Sequence, residues 1–128
     1  MSDKIEFLLK YGTAKHINTI VRAPWLHGID NKEWAITMAL SNPMCPREIV
    51  DHTAKHGVLF FGKALAARHP NLSPELHQKA LQDPDFDIRL AAWHNPQTTN
   101  EQLQYAVDND IHSHGALNAR AILKDRQK

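Results

Sequence analysis

Ala92-Trp93-His94-Asn95-Pro96 is the third appearance of one short pattern, after Ala39-Leu40-Ser41-Asn42-Pro43 and Ala66-Ala67-Arg68-His69-Pro70. Its prolines stand 27 and then 26 residues apart. Self-similarity at such a period marks a chain built of stacked units, each burying its apolar face against its neighbours. Positions 39, 66, 92 and 119 are all alanine, and positions 35, 62, 88 and 115 are Ala, Gly, Ile and Gly. The two series lie four residues apart, which on a helix is one face. Each unit is therefore predicted to present a mostly small-residue stripe where a neighbouring helix approaches closely.

After each proline the sequence signals a helix start: Cys45-Pro46-Arg47-Glu48, Ser73-Pro74-Glu75-Leu76 and Thr99-Asn100-Glu101-Gln102. Ser73 and Thr99 are favoured N-caps, proline is harmless in a first turn, and Glu there suits the helix dipole. Helices are expected from about 46, 74 and 100, with Ile49 and Thr53, Leu76 and Ala80, and Leu103 and Val107 buried. They stop at Gly57, at Asp83-Pro84 and near Asn109. A second helix follows in each unit, over roughly 58–68, 86–94 and 113–124, ending at the next X-Pro. Upstream, 2–11 and 13–23 read as two helices separated by Gly12, then a loop into a helix over 31–41. The expected organisation is one all-α domain over 1–128, an α-α superhelical solenoid of short helix pairs. Residues 1–30 form an N-terminal cap or a diverged repeat, 31–112 the units, and 113–128 a capping helix.

The stretch from Asp85 to Leu103, with Asp85-Phe86-Asp87, Arg89, Asn95-Pro96, Thr98 and Glu101, resembles the leucine-rich repeat variant and, more loosely, HEAT-like repeats. The resemblance covers about residues 31–124. It implies a right-handed superhelix of alternating long and short helices. It also implies a binding scaffold of the kind found in bacterial and phage proteins, with DNA-gripping enzymes among the HEAT-like relatives. The chain departs from the pattern in its longer period and at His56-Gly57-Val58, which replaces an Asp-x-Asp turn.

Composition agrees with a self-sufficient fold. At 128 residues with 42% hydrophobic and 23% charged residues, the chain can bury about two thirds of its unfolded surface. Fifteen basic against fourteen acidic residues give a net charge of +1, too balanced for a strong nucleic-acid footprint. The single cysteine, Cys45, and the charges Asp3, Lys4 and Glu6 in the first apolar run point to a reducing, cytoplasmic location without a signal sequence. No apolar run reaches the roughly 20 residues that span a bilayer.

The chemistry-bearing residues mostly find structural places. His52 and His56 share a helical face and could be joined by Cys45 or His27, but they lack the convergent third and fourth donors of a metal site. Asp83-Pro84-Asp85-Phe86-Asp87 opens like a calcium loop but has Ile88 at position six and His94 at position twelve; Asp87 is better read as an N-cap and Asp85 as an Asx turn. His69 falls in the column of Asn42 and Asn95, where a polar group closes a helix end. Cys45, in the N-cap column, has no neighbouring base. Neither a catalytic group nor a cofactor is expected.

One column suggests recognition. Lys63, Arg89 and Ala116 align across the units, and four residues on Ala67, Trp93 and Arg120 do so. Stacking predicts a ridge of Lys63, Arg89, Trp93 and Arg120, with Arg68 and His94 in the adjacent column. Arginine beside tryptophan suits an interface hot spot; the bland reading is a solvated face. The expected function is a non-catalytic module binding a protein partner, as adaptor or inhibitor, the alternative being nucleic-acid backbone binding through the ridge. Oligomeric state is open.

Overall fold

The computed structural model describes residues 3–57 and 60–127, and among them every regular element is helical. The order is α1 Asp3–Tyr11, α2 Ala14–Arg22, a 3-10 turn Pro24–His27, α3 Lys32–Leu40, α4 Arg47–His56, α5 Phe60–Ala67, α6 Pro74–Leu81, α7 Phe86–Trp93, α8 Asn100–Asn109 and α9 Gly115–Arg126. The fold is all-α. The starts expected at 46, 74 and 100 are met within a residue. Val58 and Leu59, the side chains of Phe60 and Phe61, and residues 1, 2 and 128 lie outside what the structure describes.

Local signals set the starts. Thr13 and Thr99 form capping boxes with His16 and Gln102, and Asn31 accepts from the amides of Glu33 and Trp34. Ser73 occupies its N-cap without a side-chain cap; its amide instead donates to Asp51 at 2.9 Å. α7 is capped by Asp85, which accepts from the Asp87 amide, while Asp83 makes the Asx turn to Asp85. Both roles sit two residues earlier than expected, because the helix already begins at Phe86. The 3-10 turn ends at Gly28, whose φ of 73° only glycine adopts without strain.

The odd-numbered helices pack in succession, α1 on α3, α3 on α5, α5 on α7 and α7 on α9, and the even-numbered helices lie against them as a second layer. The small-residue stripe makes that close approach possible. Ala39, Ala66, Ala92 and Ala119 are fully buried, and Ala35, Gly62, Ile88 and Gly115 are buried beside them. In the even layer the buried pairs are Val50 and Thr53, His77 and Ala80, and Leu103 and Ala106. Ile49, Leu76 and Val107 are only half-buried, so three of the six positions expected inside move by one residue. His77 holds the place of Val50 and Leu103. Its imidazole is satisfied there by the Thr98 hydroxyl at 2.7 Å.

Polar side chains tie consecutive units together at the spacing seen in the sequence. Asn42 donates to the carbonyls of Leu9 and Gly12, His69 to that of Asn42 at 2.8 Å, and Asn95 to those of Ala67 and His69. The same three side chains accept from the amides of Met44, Asn71 and Gln97. Two residues on, Asn71 donates to the Pro43 and Cys45 carbonyls and Gln97 to those of Pro70 and Leu72. Arg126 finishes both series, reaching the carbonyls of Asn95 and Thr98. The column before the proline thus bonds the preceding unit's backbone rather than merely closing its own helix. Buried carbonyls left open there would each cost about 1–3 kcal/mol.

Cys45 lies one residue before the N-cap Pro46, in a fully buried series with Leu72 and Thr98, not in the cap column itself. Trp34 packs on the core, whereas Trp25 is 71% exposed. The short 3-10 turn carries it outward.

Candidate functional site

The proposed ridge does not form as one surface. Arg68 on the turn after α5, His94 at the end of α7 and Arg120 on α9 are exposed, and Lys63 on α5 is half-buried. Arg89 is only 6% exposed and Trp93 1%. Their column points between the layers and is covered by the following even helix: α8 lies over Trp93 through Leu103 and Ala106. Among the described residues no helix follows α9, and there Arg120 is exposed, while Lys63 is half-buried. Sequence alignment of a column cannot say which way the column faces.

The Arg89 charge is neutralised inside the fold. Its Nε and Nη2 reach the Asp110 carboxylate at 2.7 and 3.1 Å, a two-point pairing, and Nη1 donates to the carbonyls of Asp83 and Pro84. The guanidinium also lies 5.6 Å from the Phe86 ring centre. Burial pushes the Asp110 carboxyl up, but the hydrogen bonds from Arg89 and the His112 amide, with the adjacent positive charge, hold it below the ordinary value. Asp110 was not singled out from sequence, because it stands in a loop outside the repeated columns. The one signal was a carboxylate where the previous units have Gly57 and Pro84.

Two grooves open between the even helices. One, of about 340 Å³, lies between α4 and α6, with Lys55, Lys63, Lys79 and Asp83 among its lining over an apolar floor that includes Leu72, Leu76 and Ile88. The other, of about 320 Å³, lies between α6 and α8 and is lined by Leu81, Gln82, Arg89, Trp93, Tyr105 and Asn109, among others. Beside the second, Tyr105 is 70% and Ile111 90% exposed. Neither groove is anticipated as a site, since their walls combine residues from four helices in the first and three in the second. No helix among the described residues is long and apolar enough to cross a membrane.

The rings of His52 and His56 are 5.1 Å apart on the outer face of α4, and among the described residues no third donor joins them. Burial pushes the Cys45 thiol up to about 12, which leaves it un-ionised and poorly nucleophilic. Burial lowers His69 and His77, and His94 is lowered by burial and then by Arg68 and Arg126.

Comparison with known protein families, curated proteins and solved structures finds no match. The class defined by the fold is an all-α protein of short helices with two ligand-sized grooves on its even-helix layer.

Proposed function

We propose that the chain is a non-catalytic binding module that seats a segment of a protein partner along the grooves between α4, α6 and α8, as an adaptor or as an inhibitor that covers the partner's surface. On this reading the helix pairs form a superhelical stack of the leucine-rich repeat variant or HEAT-like kind. Support for the stack comes from hydrogen bonds recurring at 26- and 27-residue offsets and from the buried alanine series. The observation that carries the binding reading is the pair of grooves, each opening between successive even helices and built from matching positions of consecutive units. Exposed Tyr105 and Ile111 at one groove supply the apolar anchors that interfaces use.

A nucleic-acid role is the weaker reading, because Arg89 is buried and neutralised by Asp110 and so adds nothing to a basic surface. The test is selection of a random peptide library on the immobilised protein. Enriched peptides are expected to lose affinity with Tyr105→Glu or with Leu76→Glu. Failure to enrich any peptide, or binding indifferent to both changes, would sink the reading. Salt-dependent binding of a short DNA duplex would favour the alternative instead.

A further inference from the structure

The two grooves are the same structure made twice, and one difference between them points to a ligand. An offset of 26 residues places Lys63 where Arg89 stands, Ala67 where Trp93 stands, Lys79 where Tyr105 stands and Pro84 where Asp110 stands. In the α6–α8 groove the chain itself provides a carboxylate to the inward-facing cation, 2.7 Å away. The residue at the position of Asp110 one unit earlier is Pro84, which has no carboxylate, and among the described residues no carboxylate lies within ion-pair distance of Lys63, Lys55 or Lys79. The carboxylate in the groove's own lining, Asp83, is held by its turn, accepting from the Asp85 amide at 2.8 Å, and stands at the position of Asn109 rather than of Asp110.

We propose that the α4–α6 groove receives a side-chain carboxylate of an acidic peptide segment, which takes beside Lys63 the place that Asp110 takes beside Arg89. The inference rests on the peptide-binding reading above and adds the chemistry of its ligand. Three lysines against one aspartate give the groove a local excess of positive charge in a nearly neutral protein. Half-burial of Lys63 between helices strengthens its attraction to an incoming anion relative to a fully solvated lysine. The floor of Leu72, Leu76, Ala80 and Ile88 selects among anions. It offers contact area to the methylenes of an aspartate or glutamate and to an apolar neighbour in the same peptide, which a sugar-phosphate backbone would leave unused. A volume of about 340 Å³ holds a few side chains and no duplex.

The experiment combines peptide selection with three variants and a small probe. Peptides enriched on the wild type should share an aspartate or glutamate, and replacing it with the amide should weaken them about tenfold or more. Lys63→Met and Pro84→Asp should each do the same, the second by providing the internal carboxylate that Asp110 provides next door. Asp83→Asn keeps the turn acceptor and should strengthen binding, and a distant Arg120→Ala control should leave it unchanged. Because both Lys63→Met and Pro84→Asp are used, misfolding of one does not decide the matter.

In parallel, N-acetylaspartate N-methylamide is titrated against the amide resonances of the labelled protein, with its asparagine analogue and a short single-stranded DNA as comparisons. Shifts at Lys63 and Lys79 with the aspartate probe alone support the proposal. Enriched peptides that lack an acidic residue and ignore both variants overturn it while the binding-module reading stands. Aspartate shifts without any peptide enrichment overturn that reading and keep the carboxylate site. Binding of the DNA that is lost with Lys63→Met overturns the choice of a peptide as the occupant.

Discussion

Replacing His69 by Asn should make the protein less sensitive to acid without weakening it at neutral pH. His69 is buried, its Nε2 donates to the Asn42 carbonyl and its Nδ1 accepts from the Asn71 amide at 3.0 Å. Both nitrogens are therefore used by the neutral ring, and protonation would turn the acceptor into a donor facing a donor. Burial lowers the pKa even though the bond to Asn42 favours the charged form. The unfolded chain then takes up a proton near pH 6.5 that the folded chain refuses. Stability present above that pH is lost as pH falls from 6.5 toward the lowered native value, at about 1.4 kcal/mol per pH unit for one histidine. His77, lowered by burial, and His94, lowered by burial and then by Arg68 and Arg126, have the same sign, so the wild type can lose up to about 4 kcal/mol per pH unit in this window.

Asn at 69 would match Asn42 and Asn95, each of which bonds two carbonyls of the preceding unit. The extra bond, worth about 1 kcal/mol, offsets the smaller volume. Urea unfolding at a series of pH values from 8 to 5 is the assay. The His69→Asn slope should be about two thirds that of the wild type, with midpoints at pH 8 within about 0.5 M of each other. An unchanged slope would refute the tautomer and burial account of His69.

Four further outcomes follow from the packing. Asp110→Ala strands the buried Arg89 guanidinium and should cost about 3–5 kcal/mol in urea unfolding, whereas Arg89→Met with Asp110→Leu should recover much of that loss; equal effects would show that the pair is not coupled. Gly115→Ala would place a methyl 2.1 Å from the Asp110 Oδ2, so it should displace the carboxylate from Arg89 and cost about 2 kcal/mol or more by the same measurement. Arg126→Met removes the last donor of the inter-unit series and should lower stability by about 1–2 kcal/mol, with amide exchange rising first at α8 and α9. The Cys45 thiol, buried with its pKa pushed up to about 12, should react with a disulfide reagent at pH 8 only as fast as the protein opens, and at once in urea.

What the sequence made legible was whatever repeats. Ala39, Ala66, Ala92 and Ala119 fix the close layer because only small side chains admit a neighbouring helix there, and the prolines mark where each helix must stop. The register of the other layer slipped because Leu76 matches Leu103 by residue type, whereas the fold matches Leu103 with His77. An imidazole can fill a leucine's place once Thr98 satisfies it. The ridge was misread for a different reason. Arg89 is charged, and a charged residue is ordinarily taken as exposed; what holds it inside is Asp110, twenty-one residues on and outside any repeated column. A partner that appears in one unit only leaves no periodic trace.

On the proposed binding reading, that asymmetry gives the two grooves distinct tasks. In the α6–α8 groove the cation is already paired, so selectivity there falls to Trp93, Tyr105 and the amide side chains of Gln82 and Asn109, which favour apolar and hydrogen-bonding groups over charge. The α4–α6 groove keeps its lysines for an anion. Directly packed helices sit about 8–10 Å apart, and the even helices do not pack on one another closely, so neighbouring grooves are separated by at least that distance. An extended peptide advances about 3.3 Å per residue. On the proposed reading, a segment lying across both grooves carries its acidic residue at least about three positions from its apolar or aromatic anchor. Moving the carboxylate next to the anchor should abolish simultaneous engagement, leaving affinity sensitive to Lys63→Met or to Tyr105→Glu but not to both; sensitivity to both at that shorter spacing would refute the two-groove arrangement.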